Sequence, residues 1–172
     1  MPEVTLKDKV VHRSMRDARL AKRGLDAVDL TILKHLQNNS KVPLDKIATA
    51  AGVPKATIHY RIKRLERKGA IQGYYAKVDP ILLGKDYVAV SLIRGKYGPR
   101  YHERLGKKLA AIPGVWVVYF LFGDWDFLVL TRSNNREDLA GKVETIINMR
   151  EVERGATQIV SRVVKEDPRV EV

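Results

Sequence analysis

The chain has 172 residues, a net charge of +12 and no cysteine, which excludes disulfides, zinc–cysteine sites and thiol catalysis. No apolar run approaches the roughly 20 residues that span a bilayer, and residues 1–9 are charged and lack an apolar signal-peptide core, so a cytoplasmic protein without membrane contact is expected. The charge is uneven: residues 1–69 hold 16 Lys and Arg against 7 Asp and Glu, a net of +9, and residues 70–172 hold 16 against 13, a net of +3, which points to a polyanion partner at the front of the chain.

Residues 1–24 carry seven Lys or Arg. Val11, Met15 and Ala18 recur at helical spacing, so the segment reads as a basic arm, a short amphipathic helix or a solvated tail. A helix follows, capped by Asp26, with Asp29 in its first turn and Leu25, Val28, Ile32, Leu33 and Leu36 on one face. Asn38, Asn39 and Ser40 end it. Pro43 can open a second, short helix with Leu44, Ile47, Ala48 and Ala51 inward, closed at Gly52. Pro54 can stand in the first turn of a third helix that runs to about Lys68 and stops at Gly69. Residues 70–79 read as a strand or small hairpin, and Asp79-Pro80 and Gly84 mark a connection.

From Asp86 the pattern becomes strand (Tyr87 to Ile93), helix (Pro99 to Ala111), strand (Val115 to Phe122), strand (Trp125 to Thr131), helix (Arg136 to about Met149) and strand (Thr157 to Val164). The order βαββαβ is ferredoxin-like: an antiparallel sheet with both helices on one face. The other face is apolar enough to pair with a second copy. The expected class is therefore α+β, with an N-terminal three-helix winged helix-turn-helix and a C-terminal ferredoxin-like domain. The expected parts are a basic extension over 1–24, a helix-turn-helix domain over 25–70, a linking strand or hairpin over 71–85, and a ferredoxin-like domain over 86–172.

The stretch from Leu44 to Ile71 carries the functional signal. A short helix, a tight turn at Gly52 and a longer basic helix make a helix-turn-helix. On the third helix Ile58, Ile62 and Leu65 share one face. The opposite side carries Ala56, Thr57, His59, Tyr60, Lys63, Arg64 and Arg67, with Lys55 ahead of it and Arg61 and Lys68 on its flanks. In a major groove, Thr57, His59 and Tyr60 would reach base edges, while Lys63, Arg64 and Arg67 would bind phosphate. The alternative is a basic helix face that is merely solvated.

The motifs Leu25-Asp26-x-x-Asp29-x-x-Ile32-Leu33, Ile47-Ala48, Gly52-Val53, Arg61-Ile62-Lys63-Arg64-Leu65-Glu66 and Gly69-Ala70-Ile71, followed by Ile112-Pro113-Gly114-Val115 and Gly123-Asp124-Trp125-Asp126-Phe127, resemble the leucine-responsive and asparagine-operon (Lrp/AsnC, feast/famine) regulators over roughly residues 25–167. The resemblance implies homodimers joined through the second domains and often assembled into octamers, double-stranded palindromic operators, and a small amino-acid effector bound at dimer–dimer contacts, with no other cofactor and no metal. It places the effector site at the loop Gly123, Asp124, Trp125 and Asp126, bordered by Phe120 and Phe122, with Thr157, Gln158 and Ile159 of the last strand. Gly123 would let backbone N–H groups approach a carboxylate, and Asp126 could accept from an ammonium group. Without the resemblance, the alternative reading of Gly123-Asp124 is a plain hairpin turn.

Three features depart from the family pattern. Pro54 stands where a capping Ser is common, Gly155 and Ala156 remove two hydroxyl contacts to a ligand, and the basic arm is longer than usual. Lys96-Tyr97-Gly98-x-x-Tyr101-His102 and Gly114-Val115-Trp116-x-Val118-Tyr119-Phe120 are similar to an archaeal branch that responds to glutamine. Two other functions fit less well. One is an architectural DNA-coating protein without effector control. The other is an enzyme like the siroheme decarboxylases, but His102 is the single histidine after residue 70 and no catalytic residue can be nominated.

Overall fold

The computed structural model describes residues 22–172. Nearly all of the basic extension therefore lies outside the described residues. The chain divides into a first unit that reaches Ala76 and is completed by Asp167–Val172, and a second unit, Lys77–Glu166.

The first unit holds α1 (Ala27–Asn38), α2 (Leu44–Ala51) and α3 (Lys55–Arg67). Asp26 caps α1, accepting from the amides of Val28 and Asp29, while the Asp29 carboxylate accepts in return from the Asp26 amide. This reciprocal box satisfies donors that a helix start leaves open. Pro43 and Pro54 stand just outside α2 and α3 as their cap residues, rather than inside the first turn. Gly52 takes the left-handed conformation that ends α2, which lets the chain turn sharply into α3. Ile32, Ile47, Ile58, Ile62 and Leu65 form the buried centre, each helix contributing its apolar stripe.

The last six residues dock on this unit. The Gln37 side chain donates to the Val170 carbonyl (2.9 Å) and accepts from its amide (2.7 Å), and Arg169 donates to Asn38 (2.5 Å). Assigning all of 86–172 to the second domain thus misses a tail whose backbone partners lie on α1.

The second unit holds β1 (Tyr87–Gly95), α4 (Tyr101–Ala110), β2 (Val115–Phe120), β3 (Phe127–Ser133), α5 (Arg136–Ile147) and β4 (Val152–Ile159). All strand pairs are antiparallel, in the order β2-β3-β1-β4, which is the ferredoxin-like topology expected. Ile93, Phe127, Val129 and Val152 of the sheet pack with Leu105 and Leu109 of α4 and Ile146 of α5, so both helices cover one face. Val90, Leu92, Leu128 and Leu130 alternate with these buried residues and stay partly exposed on the other face.

Two expectations need correction. No strand forms between residues 71 and 86, so the helix-turn-helix has no wing hairpin. Residues 72–79 are exposed and take no part in the four-stranded sheet. The last strand spans Val152–Ile159 rather than 157–164, because its pairing with β1 sets Gly155 opposite Ile93 and Ile159 opposite Ala89.

Candidate nucleic-acid interface and effector loop

Helix α3 buries Ile58, Ile62 and Leu65 and turns Lys55, Ala56, His59, Tyr60, Lys63 and Arg67 outward. Tyr60 is an exposed aromatic among cations, a combination suited to base edges and phosphates. Lys55 pairs with Asp45 (2.9 Å) and Lys63 with Glu66 (3.0 Å). Both pairs are exposed, and such pairs are weak enough for phosphate to displace. The Arg67 Nε donates to the Lys63 carbonyl, leaving the rest of its guanidinium outward. Thr57 is half-buried.

Arg61 and Arg64 are placed differently from the other cations. Asp29 is fully buried. Its Oδ1 accepts from Arg61 (3.1 Å) and its Oδ2 from Arg64 (2.5 Å), while Arg61 also reaches Asp26 (2.5 Å). Two of the cations assigned to DNA therefore clamp α3 to the start of α1. The Arg64 guanidinium faces a carboxylate rather than the open side of the helix, which corrects its reading as a free phosphate contact. Burial pulls the Asp26 carboxyl upward, but the Arg61 hydrogen bond and the amides of Asp29 and Val28 outweigh it and hold it below the usual range. The signal was in the sequence: Arg61 and Arg64 are three apart, so they share a helix face, and Asp26 and Asp29 show the same spacing. Read as a cap alone, the acidic pair hid its second role.

The loop 121–126 joins β2 to β3 and is fastened on both sides. The Leu121 amide donates to the Asp126 carbonyl (2.7 Å), and the Asp126 amide to the Ile93 carbonyl (3.0 Å). The Asp126 carboxylate accepts from the Gly95 amide (2.7 Å) and the Tyr101 hydroxyl (3.2 Å). Burial and that hydrogen bond push the Tyr101 hydroxyl above its ordinary pKa. Asp126 thus anchors the loop before any ligand arrives, and an ammonium group would have to share it. Arg94 donates to the Asp124 carbonyl (2.8 Å), and Arg154 of β4 lies over the Trp125 ring (4.8 Å).

Gly123 has φ +146 with open space where a side chain would stand. Phe122 is almost wholly exposed (96%), while Phe120 stacks within 5.5 Å of His102, Phe122 and Phe127. On β4, Thr157 bonds Ser91 on the helix-covered side (2.9 Å). Ile159 shares that side, and Gln158 points to the other face. The three residues expected to act together are therefore split between two faces. Gly95, Tyr101 and Arg154 are contributors that the sequence reading missed, because their link to the loop exists only through sheet pairing.

Residues 25–66 match the AsnC-type helix-turn-helix domain, and residues 87–170 match the Lrp/AsnC ligand binding domain. The HTH-type transcriptional regulator FL11 of Pyrococcus furiosus is 39% identical over 142 residues, covering 83% of this chain and 93% of that protein. FL11 of Pyrococcus horikoshii is 37% identical with the same coverage. Among solved structures, AsnC of E. coli superposes with a TM-score of 0.75 at 24% identity, over 83% of this chain and 95% of that one. A transcriptional regulator of Neisseria meningitidis in complex with L-methionine superposes at 0.79 with 20% identity, over 86% and 96%.

Proposed function

The chain belongs to the Lrp/AsnC family of transcriptional regulators, and from that premise we propose that it binds specific duplex sites through α3 and that an amino acid held at loop 121–126 alters its assembly or its DNA binding. The family relatives are named as HTH-type transcriptional regulators, which sets the enzyme reading aside. The observation that carries the proposal is the division of α3: one aliphatic side is buried, and the other presents Lys55, Ala56, His59, Tyr60, Lys63 and Arg67, with Thr57 half-buried at its edge. His59 and Tyr60 read bases, and Lys63 and Arg67 bind phosphate. Arg61 and Arg64, neutralised by Asp26 and Asp29, hold the helix at its angle.

Two further assignments belong to this reading. A homodimer forms through the sheet face that carries Val90, Leu92, Leu128 and Leu130, since a partly apolar sheet face gains by burial against its like, and dimers assemble further to an octamer. The effector contacts Phe120, Phe122, Gly123, Asp124, Trp125 and Asp126, with Thr157 and Ile159 from β4. Glutamine is the first candidate, supported by the stretch from Lys96 to His102. Methionine belongs beside it in the test because two solved relatives carry it.

The test is fluorescence anisotropy on duplexes at graded salt. Arg67→Ala is expected to weaken binding to all sequences and to shorten the salt slope by about one. His59→Ala is expected to relax discrimination between specific and random duplex. If neither variant alters affinity, α3 is not the DNA element. A thermal-shift screen of the amino acids locates the effector, because a ligand selective for the folded state raises its melting point. Uniform protection of any DNA in a footprint would favour the architectural alternative.

A further inference from the structure

At the end of the sheet where β1 passes into α4 lies an open pocket of about 610 Å³, lined by Lys96, Tyr97, Arg104, Lys108, Arg150 and Glu151. It shares no lining residue with loop 121–126, although Lys96 and Tyr97 belong to the stretch that supports glutamine as the effector. Four of its six side chains are cations and one is an anion, a lining charge of +3. The single carboxylate is committed: Glu151 accepts from Lys108 (2.6 Å), and its other oxygen, Oε2, is buried without a hydrogen-bond partner. Among the described residues, Lys96, Arg104 and Arg150 form no ion pair within the 4.0 Å that defines the others. Glu151 is held by the charge of Arg104 as well as that of Lys108, so one carboxylate serves two cations, and the net lining charge of +3 repels itself at a cost in free energy that a bound polyanion would recover.

The pocket also has an aromatic wall. Tyr97 is 84% exposed, and its ring is held against Tyr101 at 5.1 Å between centroids. Its outer face is thus free and its inner face braced, which suits it to stack on a planar ring. The volume falls within the range that holds small ligands.

From the charge, the volume and the braced ring together, we infer that this pocket binds a nucleoside polyphosphate, with the phosphates on Lys96, Arg104 and Arg150 and the base on Tyr97. A single carboxylate, such as a free amino acid offers, would neutralise one of the three open cations. A chain of two or three phosphates matches all three, and guanidinium groups suit their oxygens. A rigid duplex could touch these cations but could not place a base on Tyr97. The site is wired to the effector loop through consecutive backbone groups: the Lys96 amide donates to the Glu151 carbonyl (2.7 Å), and the Gly95 amide donates to Asp126 (2.7 Å). A ligand that pulls on Lys96 therefore acts one residue away from the loop's anchor.

The experiment is calorimetric titration of the full-length chain, without DNA or amino acid, with ATP, inorganic tripolyphosphate and inorganic phosphate. ATP and tripolyphosphate are expected to bind saturably at one site per chain, and phosphate at least tenfold more weakly. Lys96→Glu with Arg104→Glu should lower both affinities at least tenfold, whereas Lys63→Glu with Arg67→Glu on α3 should leave them unchanged. Tyr97→Ala should weaken ATP and spare tripolyphosphate. If the double charge reversal fails to fold, Arg150→Gln on the exposed turn reads the same contact. Absence of saturable binding, equal loss in the α3 variant, or indifference to both pocket variants overturns the site. Unaltered ATP affinity in Tyr97→Ala overturns the assignment of the base. The α3 control keeps this result separate from whether the protein binds DNA.

Discussion

Replacing Asp29 with Asn removes the charge on which the two α3 guanidinium groups converge. The Asp29 side chain is fully buried, while those of Arg61 and Arg64 are 21% and 29% exposed. Removing one partner of a buried ion pair costs about 3–5 kcal/mol when the other charge stays trapped. Here both arginines can swing toward water, Arg61 keeps Asp26, and the amide oxygen of Asn can still accept a hydrogen bond. The expected loss is therefore smaller, about 2–3 kcal/mol, out of a total on the order of 5–15 kcal/mol for a typical domain.

Urea unfolding of the full chain separates the two units. Both tryptophans, Trp116 and Trp125, lie in the second unit, so their fluorescence reports that unit, and circular dichroism reports the helices of both. The ellipticity transition of Asp29→Asn should begin earlier while the fluorescence midpoint stays in place. A first-unit loss under about 0.5 kcal/mol, which is ordinary for a surface substitution, would refute the clamp. Replacing Asp29, Arg61 and Arg64 together by leucine should restore part of the loss, because no buried charge is then left without its partner, while exposed Asp26 loses Arg61 and its amide loses the Asp29 cap.

Other outcomes follow from the same geometry. In Gly114→Ala the new Cβ would lie 2.4 Å from the Arg132 carbonyl oxygen at φ +87, so about 2–4 kcal/mol of strain and overpacking is expected. Gly123→Ala, with open space around it, should cost about 1–2 kcal/mol because φ +146 lies in a region that side-chain-bearing residues rarely enter. Similar melting points for the two variants would contradict this. Asp26 titrates below its ordinary value in the fold, so its contribution is complete above the unfolded pKa and fades as pH falls through the folded one. Acid titration of Asp26→Asn should lack that component of the parent's loss. Tyr101 titrates above its ordinary value, so its share persists below the unfolded pKa near 10 and disappears as pH rises through the folded one. The tyrosinate difference spectrum of Asp126→Asn should show one tyrosine ionising at lower pH than in the parent.

The sequence alone determined the helices of the first unit, because periodic apolar faces, a reciprocal acidic cap and glycine stops act over four residues or fewer. Asp26, Gly52 and the Ile58-Ile62-Leu65 stripe are local signals, and they suffice to name a helix-turn-helix and the outward face of α3. The order of strands and helices after Tyr87 was legible for the same reason.

Tertiary structure alone decided which cations are free. Arg64 and Arg67 look alike in sequence, yet only Arg64 meets Asp29, a partner 35 residues away. Sheet register likewise decided that Asp126 is already held by Gly95 and Tyr101 and that Thr157 and Gln158 point to opposite faces. Electrostatic attraction and ladder hydrogen bonds depend on distance in space, and helical or strand periodicity carries no information about which distant residues will meet.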